Sequence, residues 1–175
     1  MDPDAKWLKK GKRCYFGYKL FLATDDTDGY ATSVDVTSAN KSETKHFAEF
    51  IEKVPCQHGS RIYADKAYAS HENRKNLQSK KLKDVIMEKA YVGKPLTKRQ
   101  KQKNWLISKR RHIVEQGYGT MKRLLKFRRA SYLGIAKVQG EALRKMICFN
   151  LLKAVNKIKV YDWLPRKWSI QLQLM

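Results

Sequence analysis

The strongest constraint on the fold is a pair of β-prone segments separated by a short turn. Residues 14-CYFGYKLFLATD-25 are rich in aromatic and apolar side chains, and 30-YATSVDVTS-38 has a similar β-branched character. Between them, 25-DDTDG-29 contains the Asp and Gly residues that tolerate the backbone angles of a hairpin. The sequence therefore predicts a β-hairpin, preceded by an N-terminal loop over residues 1–13.

Helices and strands are predicted to alternate after the hairpin. Apolar residues at helical spacing predict an amphipathic helix over 42–54, which begins with an Asn40–Glu43 capping box. The remaining elements are expected in the order strand, helix, strand, helix, helix, at 61–65, 70–80, 85–87, 104–125 and 138–158. Ser70 is the expected N-cap of its helix, and 93–104 is expected to be a basic loop.

Two of these helices have a predicted buried face. On the 104–125 helix it consists of Ile107, Val114, Tyr118, Met121 and Leu125. On the 138–158 helix it consists of Leu143, Ile147, Leu151, Ala154 and Ile158. A hairpin followed by alternating strands and helices predicts an α/β fold with a mixed sheet flanked by helices, here over residues 14–158, followed by a C-terminal tail at 159–175.

The charge of the chain indicates an anionic partner. It has 38 Lys+Arg against 16 Asp+Glu, for a formal net charge of +22. Such a field attracts polyanions, of which nucleic acid is the commonest. The three cysteines lie far apart without a C-x-x-C pair, so neither a zinc knuckle nor a disulfide framework is predicted. No apolar leader or membrane-length run is present, which predicts a cytoplasmic protein without a membrane partner.

Two acids are candidates for chemistry. Asp65 ends the predicted strand 61-RIYAD-65, where a carboxylate could hold a metal at the sheet edge or could cap the next turn, its commoner role when taken alone. Glu115 lies at the border of the buried stripe, beside Arg111 and Lys122. It could reach the same metal, or form an i,i+4 ion pair with Arg111, which spacing alone slightly favours. No histidine pair, G-x-S-x-G or P-loop pattern indicates another chemistry.

Basic side chains cluster in the second half of the chain. They are Lys94, Lys98, Arg99, Lys101, Lys103, Lys109, Arg110, Arg111, Lys122, Arg123, Lys126, Arg128 and Arg129. Aromatic residues Tyr91, Trp105, Phe127 and Tyr132 are interleaved with them. This density favours a phosphate-binding surface with a steep salt dependence over a merely solvated face.

Several motifs together resemble a known family. The segments 2-DPDAKWLKKGKRCYFGYKL-20, 36-VTSAN-40 and 63-YADKAYAS-70, with the spacing Arg111-x3-Glu115-x6-Lys122, are similar to the DDE transposases of bacterial insertion sequences. The likeness is closest to the insertion-sequence-five group and its insertion-sequence-four relatives. It extends to 149-FNLLKAVNK-157, which resembles the closing helix of the family.

The resemblance implies an RNase-H-like fold in which three carboxylates hold two Mg²⁺ ions. Asp65 matches the second acid, and Glu115 matches the third. Arg111 and Lys122 match basic residues that grip phosphates at the transposon end, and Lys109, Arg110 and Arg123 are expected to contact DNA beside them. The implied activity is cleavage of the element's end and strand transfer into target DNA, at the nucleoid. Joining two ends implies a homodimer or larger assembly.

Two departures from the family pattern shape the expected activity. The Tyr that precedes the matched Arg by three residues is Ser108 here. The first acid of the family lies on a strand before the D-P-D-A-x-W segment, where this chain begins. Asp2, Asp4, Asp25 and Asp26 are not expected to replace it. The expectation is therefore a fold lacking its first strand, in a truncated, inactive copy or half of a split frame.

Two other functions remain as alternatives. One is a non-catalytic, basic DNA-binding remnant that competes with an intact transposase for element ends. The other is a basic protein that associates with RNA or the ribosome.

Overall fold

The N-terminal segment forms a strand where a loop was predicted. The computed structural model of the protein describes residues 2–157. Strand β1 (Lys6–Lys10) pairs antiparallel with the first part of β2 (Arg13–Thr24). Gly11, with φ +63°, allows the tight turn between them. The loop prediction for residues 1–13 is wrong over β1, because strand pairing across this turn outweighs the low β-propensity of lysine.

The predicted hairpin is confirmed. The second part of β2 pairs antiparallel with β3 (Ala31–Ser38). The Asp25 carboxylate organises the connecting turn, because it accepts hydrogen bonds from the main-chain N–H groups of Thr27, Asp28, Gly29 and Tyr30.

A second group of elements follows the hairpin. Helix α1 (Glu43–Glu52) leads to β4 (Arg61–Ala64), a 3-10 turn (Lys66–Tyr68), α2 (His71–Ser79) and β5 (Lys83–Ile86). Strands β4 and β5 are parallel, and α2 is the crossover between them.

One of the two predicted helix N-caps is confirmed. The Ser70 hydroxyl accepts a hydrogen bond from the Asn73 N–H, as expected of an N-cap. The Asn40–Glu43 capping box is wrong: Ser42 precedes α1, and no side chain caps that helix.

The mixed α/β class is confirmed, but the described strands do not form one mixed sheet. Strands β1, β2 and β3 form an antiparallel sheet, whereas β4 and β5 form a separate parallel pair. The backbone therefore leaves a gap between the two sheets.

Helix α3 (Lys98–Arg123) crosses that gap, since it contacts both β2 and β4. It begins earlier than predicted because Thr97 and Gln100 form a reciprocal capping box, so part of the expected basic loop is helical. Its predicted stripe is confirmed: Ile107 and Met121 are buried, and the other three members are half-buried.

Helix α4 (Ile135–Lys157) packs on β3 through a different face from the predicted one. Leu143, Ile147 and Leu151 are exposed, whereas Val138, Ala142 and Phe149 are buried. The prediction is wrong because α4 has apolar residues on more than one side, and spacing alone does not select the side that the sheet takes. Its last member, Ile158, lies outside the described residues, as does the predicted 159–175 tail.

Two hydrophobic cores result from this arrangement. The first joins β2 and β3 to α3 and α4 around Val36, Met121 and Phe149. The second joins α1, α2, β4 and β5 around Phe47, Leu77 and Ile86. In the part of the chain that the structure describes, no helix combines the length and apolarity needed to cross a membrane.

Candidate active site

A cleft of about 550 Å³ lies between the two sheets. One wall comes from the end of β2 and the following turn, at 22–26, and the other from β4 and its carboxyl end, at 60–65. Helix α3 closes one side with Arg110, Arg111 and Tyr118. The predicted acid Asp65 therefore lines the cleft between the two sheets.

Each strand wall has an edge with no strand partner in the described chain: β1 covers β2 only over 13–17, and β4 has a single neighbour. On β2, the Gly17 carbonyl points towards the β3 side, because it accepts a hydrogen bond from the N–H of Ala39, just beyond the end of β3. In an antiparallel strand, the main-chain polar groups of alternate residues point to the same side. The Leu20 carbonyl thus points away from β3, and it accepts a hydrogen bond from the Tyr118 hydroxyl at 3.1 Å. On the other wall, β4 pairs within the described chain only with β5.

Arg111 brings the two predicted acids together. Its guanidinium lies 3.8 Å from the Asp65 carboxylate through Nη1 and 3.4 Å from the Glu115 carboxylate through Nη2. The Arg111 side chain is 17% exposed, against 40% for Asp65 and 63% for Glu115. The cation is half-buried, supported by a 3.4 Å contact with Met87 Sδ, while both acids remain open to solvent.

The structural roles considered for these acids are also present. Asp65 accepts a hydrogen bond from the Lys66 N–H at 2.6 Å, so it caps the 3-10 turn. Glu115 forms the i,i+4 contact with Arg111. Neither contact uses all the acceptor capacity of a carboxylate, so both acids keep free acceptor sites.

Two tyrosines line the cleft in protonated form at neutral pH. Burial raises the pKa of Tyr68 to about 12, and the carboxylates of Glu43 and Asp65 add to the effect. Burial also raises the pKa of Tyr118, whose hydroxyl donates to the β2 edge. These phenols can donate hydrogen bonds but do not act as bases in the neutral range.

The N-terminal acids are engaged elsewhere. Asp2 accepts from the Tyr18 hydroxyl and from the Gly134 N–H, and these hydrogen bonds, the tyrosine's foremost, lower its pKa despite partial desolvation. Asp4 accepts from the Ile135 N–H at 2.9 Å, at the start of α4. Both carboxylates thus fasten the N-terminal segment to α4.

The hairpin acids differ from the N-terminal pair, because both line the cleft. Burial opposes ionisation of Asp25, but the main-chain donors of its turn outweigh it and lower its pKa. The Asp25 carboxylate is therefore occupied by hydrogen bonds within the turn. Asp26 is exposed at the tip.

The basic residues predicted to contact DNA lie along α3. Arg110 lines the cleft beside Arg111. The Lys109 ammonium lies 3.6 Å from the centroid of the Trp105 ring. Lys122 and Arg123 are exposed in the last turn, two turns beyond Glu115. Ser108, where the family pattern has Tyr, donates to the Trp105 carbonyl within the helix.

The donor set of the cleft does not by itself fit a two-metal centre. Among residues 2–157, no three His, Cys, Asp or Glu side chains lie close enough together to hold a metal ion. Asp65 and Glu115 supply carboxylate oxygens, the ligands that Mg²⁺ prefers, but a guanidinium occupies the position between them.

A buried polar cluster was not predicted from the sequence. His46 Nε2 lies 2.7 Å from Asp35 Oδ2, and its Nδ1 lies 3.0 Å from Glu49 Oε2. Lys53 also donates to Asp35, at 2.8 Å. Both ring nitrogens of His46 therefore face carboxylates. The i,i+3 spacing of His46 and Glu49 was a visible signal, but Asp35 becomes a partner only through the tertiary fold.

Known proteins match this chain over most of its length. A family model described as transposase DDE domain matches residues 2–151. The chain is 42% identical, over 157 residues, to a protein of Neisseria meningitidis serogroup B named transposase for insertion sequence element IS1106. This match covers 90% of the chain and 54% of the relative, so the chain spans about half the length of that curated protein. No solved structure matches.

The chain therefore belongs to the DDE transposase family, among the transposases of insertion sequences. The family predicted from the sequence motifs is confirmed.

Proposed function

We propose that residues 2–157 are part of an RNase-H-like catalytic domain that cuts the ends of an insertion sequence and joins them to target DNA. Asp65 and Glu115 are two of its three catalytic carboxylates, and Arg111 and Lys122 bind DNA phosphates beside them. The observation that carries the proposal is that Arg111 contacts both acids at the cleft between the two sheets.

The cleft supports the proposal in a second way. Its two walls are the free edges of β2 and β4, and the resemblance places the first acid on a strand that precedes the D-P-D-A-x-W segment. A strand inserted there would pair with both edges and join the antiparallel and parallel sheets into one mixed sheet. Its acid would face Asp65 and complete the donor set for Mg²⁺, the ion that assists phosphoryl transfer in such sites.

We infer from the incomplete donor set that this chain alone does not cleave DNA. Asp65 and Glu115 oppose Arg111 rather than a third carboxylate, and Asp25, Asp2 and Asp4 have their oxygens engaged in main-chain hydrogen bonds. The chain's own residues would then bind and orient DNA. In this state Arg111 holds the two acids in place.

A chimera tests the catalytic assignment. The segment that precedes the matched region in the Neisseria transposase would be fused to Asp2, and both proteins would be incubated with IS1106 end duplexes and Mg²⁺ or Mn²⁺. We expect cleavage by the chimera and none by the chain alone. In the chimera, Asp65→Asn and Glu115→Gln should each abolish cleavage, while Glu72→Gln, at an exposed acid of α2, should not.

Three outcomes would contradict the proposal at different points. Cleavage by the chain alone that is lost in Glu115→Gln refutes the inferred inactivity. Cleavage by the chimera that survives both site substitutions refutes the roles of Asp65 and Glu115. A clear preference for structured RNA over duplex DNA at matched salt favours the RNA-associated alternative.

A further inference from the structure

Strands β1 and β2 form a two-stranded ribbon, residues 6–17, that extends past the end of β3. Its residues pair in register from Lys6 opposite Gly17 to Lys10 opposite Arg13. The pairing with β3 begins only at Tyr18. The ribbon therefore projects from the antiparallel sheet, beyond the part of β2 that pairs with β3.

Both faces of the ribbon are open to solvent. Trp7 and Phe16 pair across the strands on one face, with ring centroids 5.3 Å apart, and Trp7 is 67% exposed. On the other face, Tyr15 is also exposed, opposite a half-buried Leu8. An isolated two-stranded ribbon is marginally stable at best in water, and large exposed aromatic side chains add little to its stability.

The charge of the ribbon is unusual for a structural hairpin. Its five charged side chains are all basic, namely Lys6, Lys9, Lys10, Lys12 and Arg13. No ion pair found within residues 2–157 includes any of them. Lys10 and Arg13 lie directly opposite each other, an arrangement that destabilises a strand pair. An anionic partner would relieve this repulsion.

The base of the ribbon is held firmly. The Ser38 hydroxyl donates to the Asp4 carbonyl at 2.5 Å, and the Ile135 N–H donates to the Asp4 carboxylate. The segment before β1 is thus tied to both β3 and the start of α4. Because its base is anchored, the ribbon is held in a fixed position relative to the rest of the domain.

We propose that the ribbon binds in the major groove of duplex DNA, with Lys10, Lys12 and Arg13 at its tip contacting phosphates and Trp7 and Phe16 contacting the groove wall. This rests on the proposed function, which makes duplex DNA the substrate. Strands about 4.8 Å apart fit a groove about 12 Å wide. Five paired residues span about 17 Å, more than the groove's width of about 12 Å, so a ribbon that lies across the groove can bring its tip to the phosphates at the rim while the domain stays outside.

The salt dependence of binding tests the charges. Affinity of the full chain for duplex DNA would be measured by fluorescence anisotropy between about 50 and 200 mM salt. Each lost phosphate contact changes the log–log slope by about 0.9, so Lys10→Gln/Arg13→Gln should make it shallower by nearly two. The matched control Lys75→Gln/Lys83→Gln removes two exposed lysines of α2 and β5 and should leave it unchanged.

Cross-linking tests the groove. Cys14 is exposed on the ribbon, so a Cys56→Ser/Cys148→Ser chain leaves it as the single thiol. It should form a disulfide with a thiol tether on the major-groove edge of a base, and much less with a minor-groove tether. Circular dichroism would verify that each variant is folded.

The outcomes separate this inference from the proposed function. If the wild-type chain binds duplex DNA and the ribbon variant matches the control, the ribbon inference fails alone. Preferential cross-linking to the minor-groove tether overturns the groove assignment. If the wild-type chain binds no duplex DNA, the proposed function and the ribbon inference fail together.

Discussion

Two clusters in this molecule place a basic side chain between two carboxylates, and they differ in contact length and in the burial of the central side chain. Around His46, the contacts to Asp35 and Glu49 are 2.7 and 3.0 Å, and the imidazole is 2% exposed. Around Arg111, the contacts to Asp65 and Glu115 are 3.8 and 3.4 Å, and both acids are substantially exposed. The first cluster fixes α1 to β3, whereas the second lines a cleft with unused acceptor capacity.

Short contacts and a deeply buried central side chain distinguish the structural cluster around His46. A buried ion pair strongly resists loss of one partner, because the other charge is left desolvated. An exposed pair contributes little to stability and can exchange its contacts for a ligand.

Matched Asp→Asn substitutions should separate the clusters most clearly. Asp35→Asn leaves the buried His46 facing an amide, and we expect the free energy of unfolding to fall by about 3 kcal/mol. Asp65→Asn keeps an acceptor for the Lys66 N–H and should change it by less than about 1 kcal/mol. Urea denaturation of both variants measures the difference. Equal losses would show that the clusters are energetically alike.

Matched Arg→Gln substitutions should separate binding from stability. Arg111→Gln should lower stability by about 1 kcal/mol at most and make the salt slope of DNA binding shallower by about 0.9. Arg74, which contacts Asp84 and Glu88 in the second core, is the control, and Arg74→Gln should leave the slope unchanged. If Arg74→Gln changes the salt slope and Arg111→Gln does not, the role of Arg111 in DNA binding is contradicted.

The buried cluster should weaken in acid. Hydrogen bonds from Lys41 and then from His46 lower the pKa of Glu49 below its ordinary 4.5. Because the folded-state pKa is depressed, the stabilisation is present above about pH 4.5 and is lost as the pH falls through the folded-state pKa. The stability difference between wild type and Glu49→Gln should therefore shrink from pH 6 to pH 3. A pH-independent difference would argue against this ionic contribution.

The smallest expected effect belongs to Lys122, which is exposed on α3 beyond Glu115. Lys122→Ala should leave the unfolding free energy unchanged within about 0.5 kcal/mol and make the salt slope shallower by about one. Lys75→Ala is the control for an exposed lysine outside the proposed DNA surface. An unchanged salt slope for Lys122→Ala would show that Lys122 does not contact a phosphate.

Local sequence signals predicted most elements of this fold. The Asp25–Gly29 turn between β-prone segments and the Ser70 cap were sufficient for β2, β3 and α2. The exposed face of α4 was mistaken for the buried one, because Leu143, Ile147 and Leu151 are as apolar as the residues that pack on β3. Which face is buried depends on the neighbouring sheet, and local periodicity does not contain that information.

The candidate site was predictable only through motif resemblance. Spacing on the helix related Glu115 to Arg111, but nothing local related either of them to Asp65. The fold supplies that relation, because α3 lies across the end of β4. The ribbon was missed for a different reason: lysine-rich segments have low strand propensity, although Gly11 between Trp7 and Phe16 was a visible turn signal.

The inward direction of the two free strand edges has a consequence for association between molecules. An unpaired edge that faces outward is a template for sheet growth from one chain to the next. Here the edges of β2 and β4 face each other across the cleft, and the Tyr118 hydroxyl already occupies the Leu20 carbonyl. A second chain must insert a strand between the sheets to use them, so these two edges are less accessible to intermolecular strand pairing than outward-facing edges.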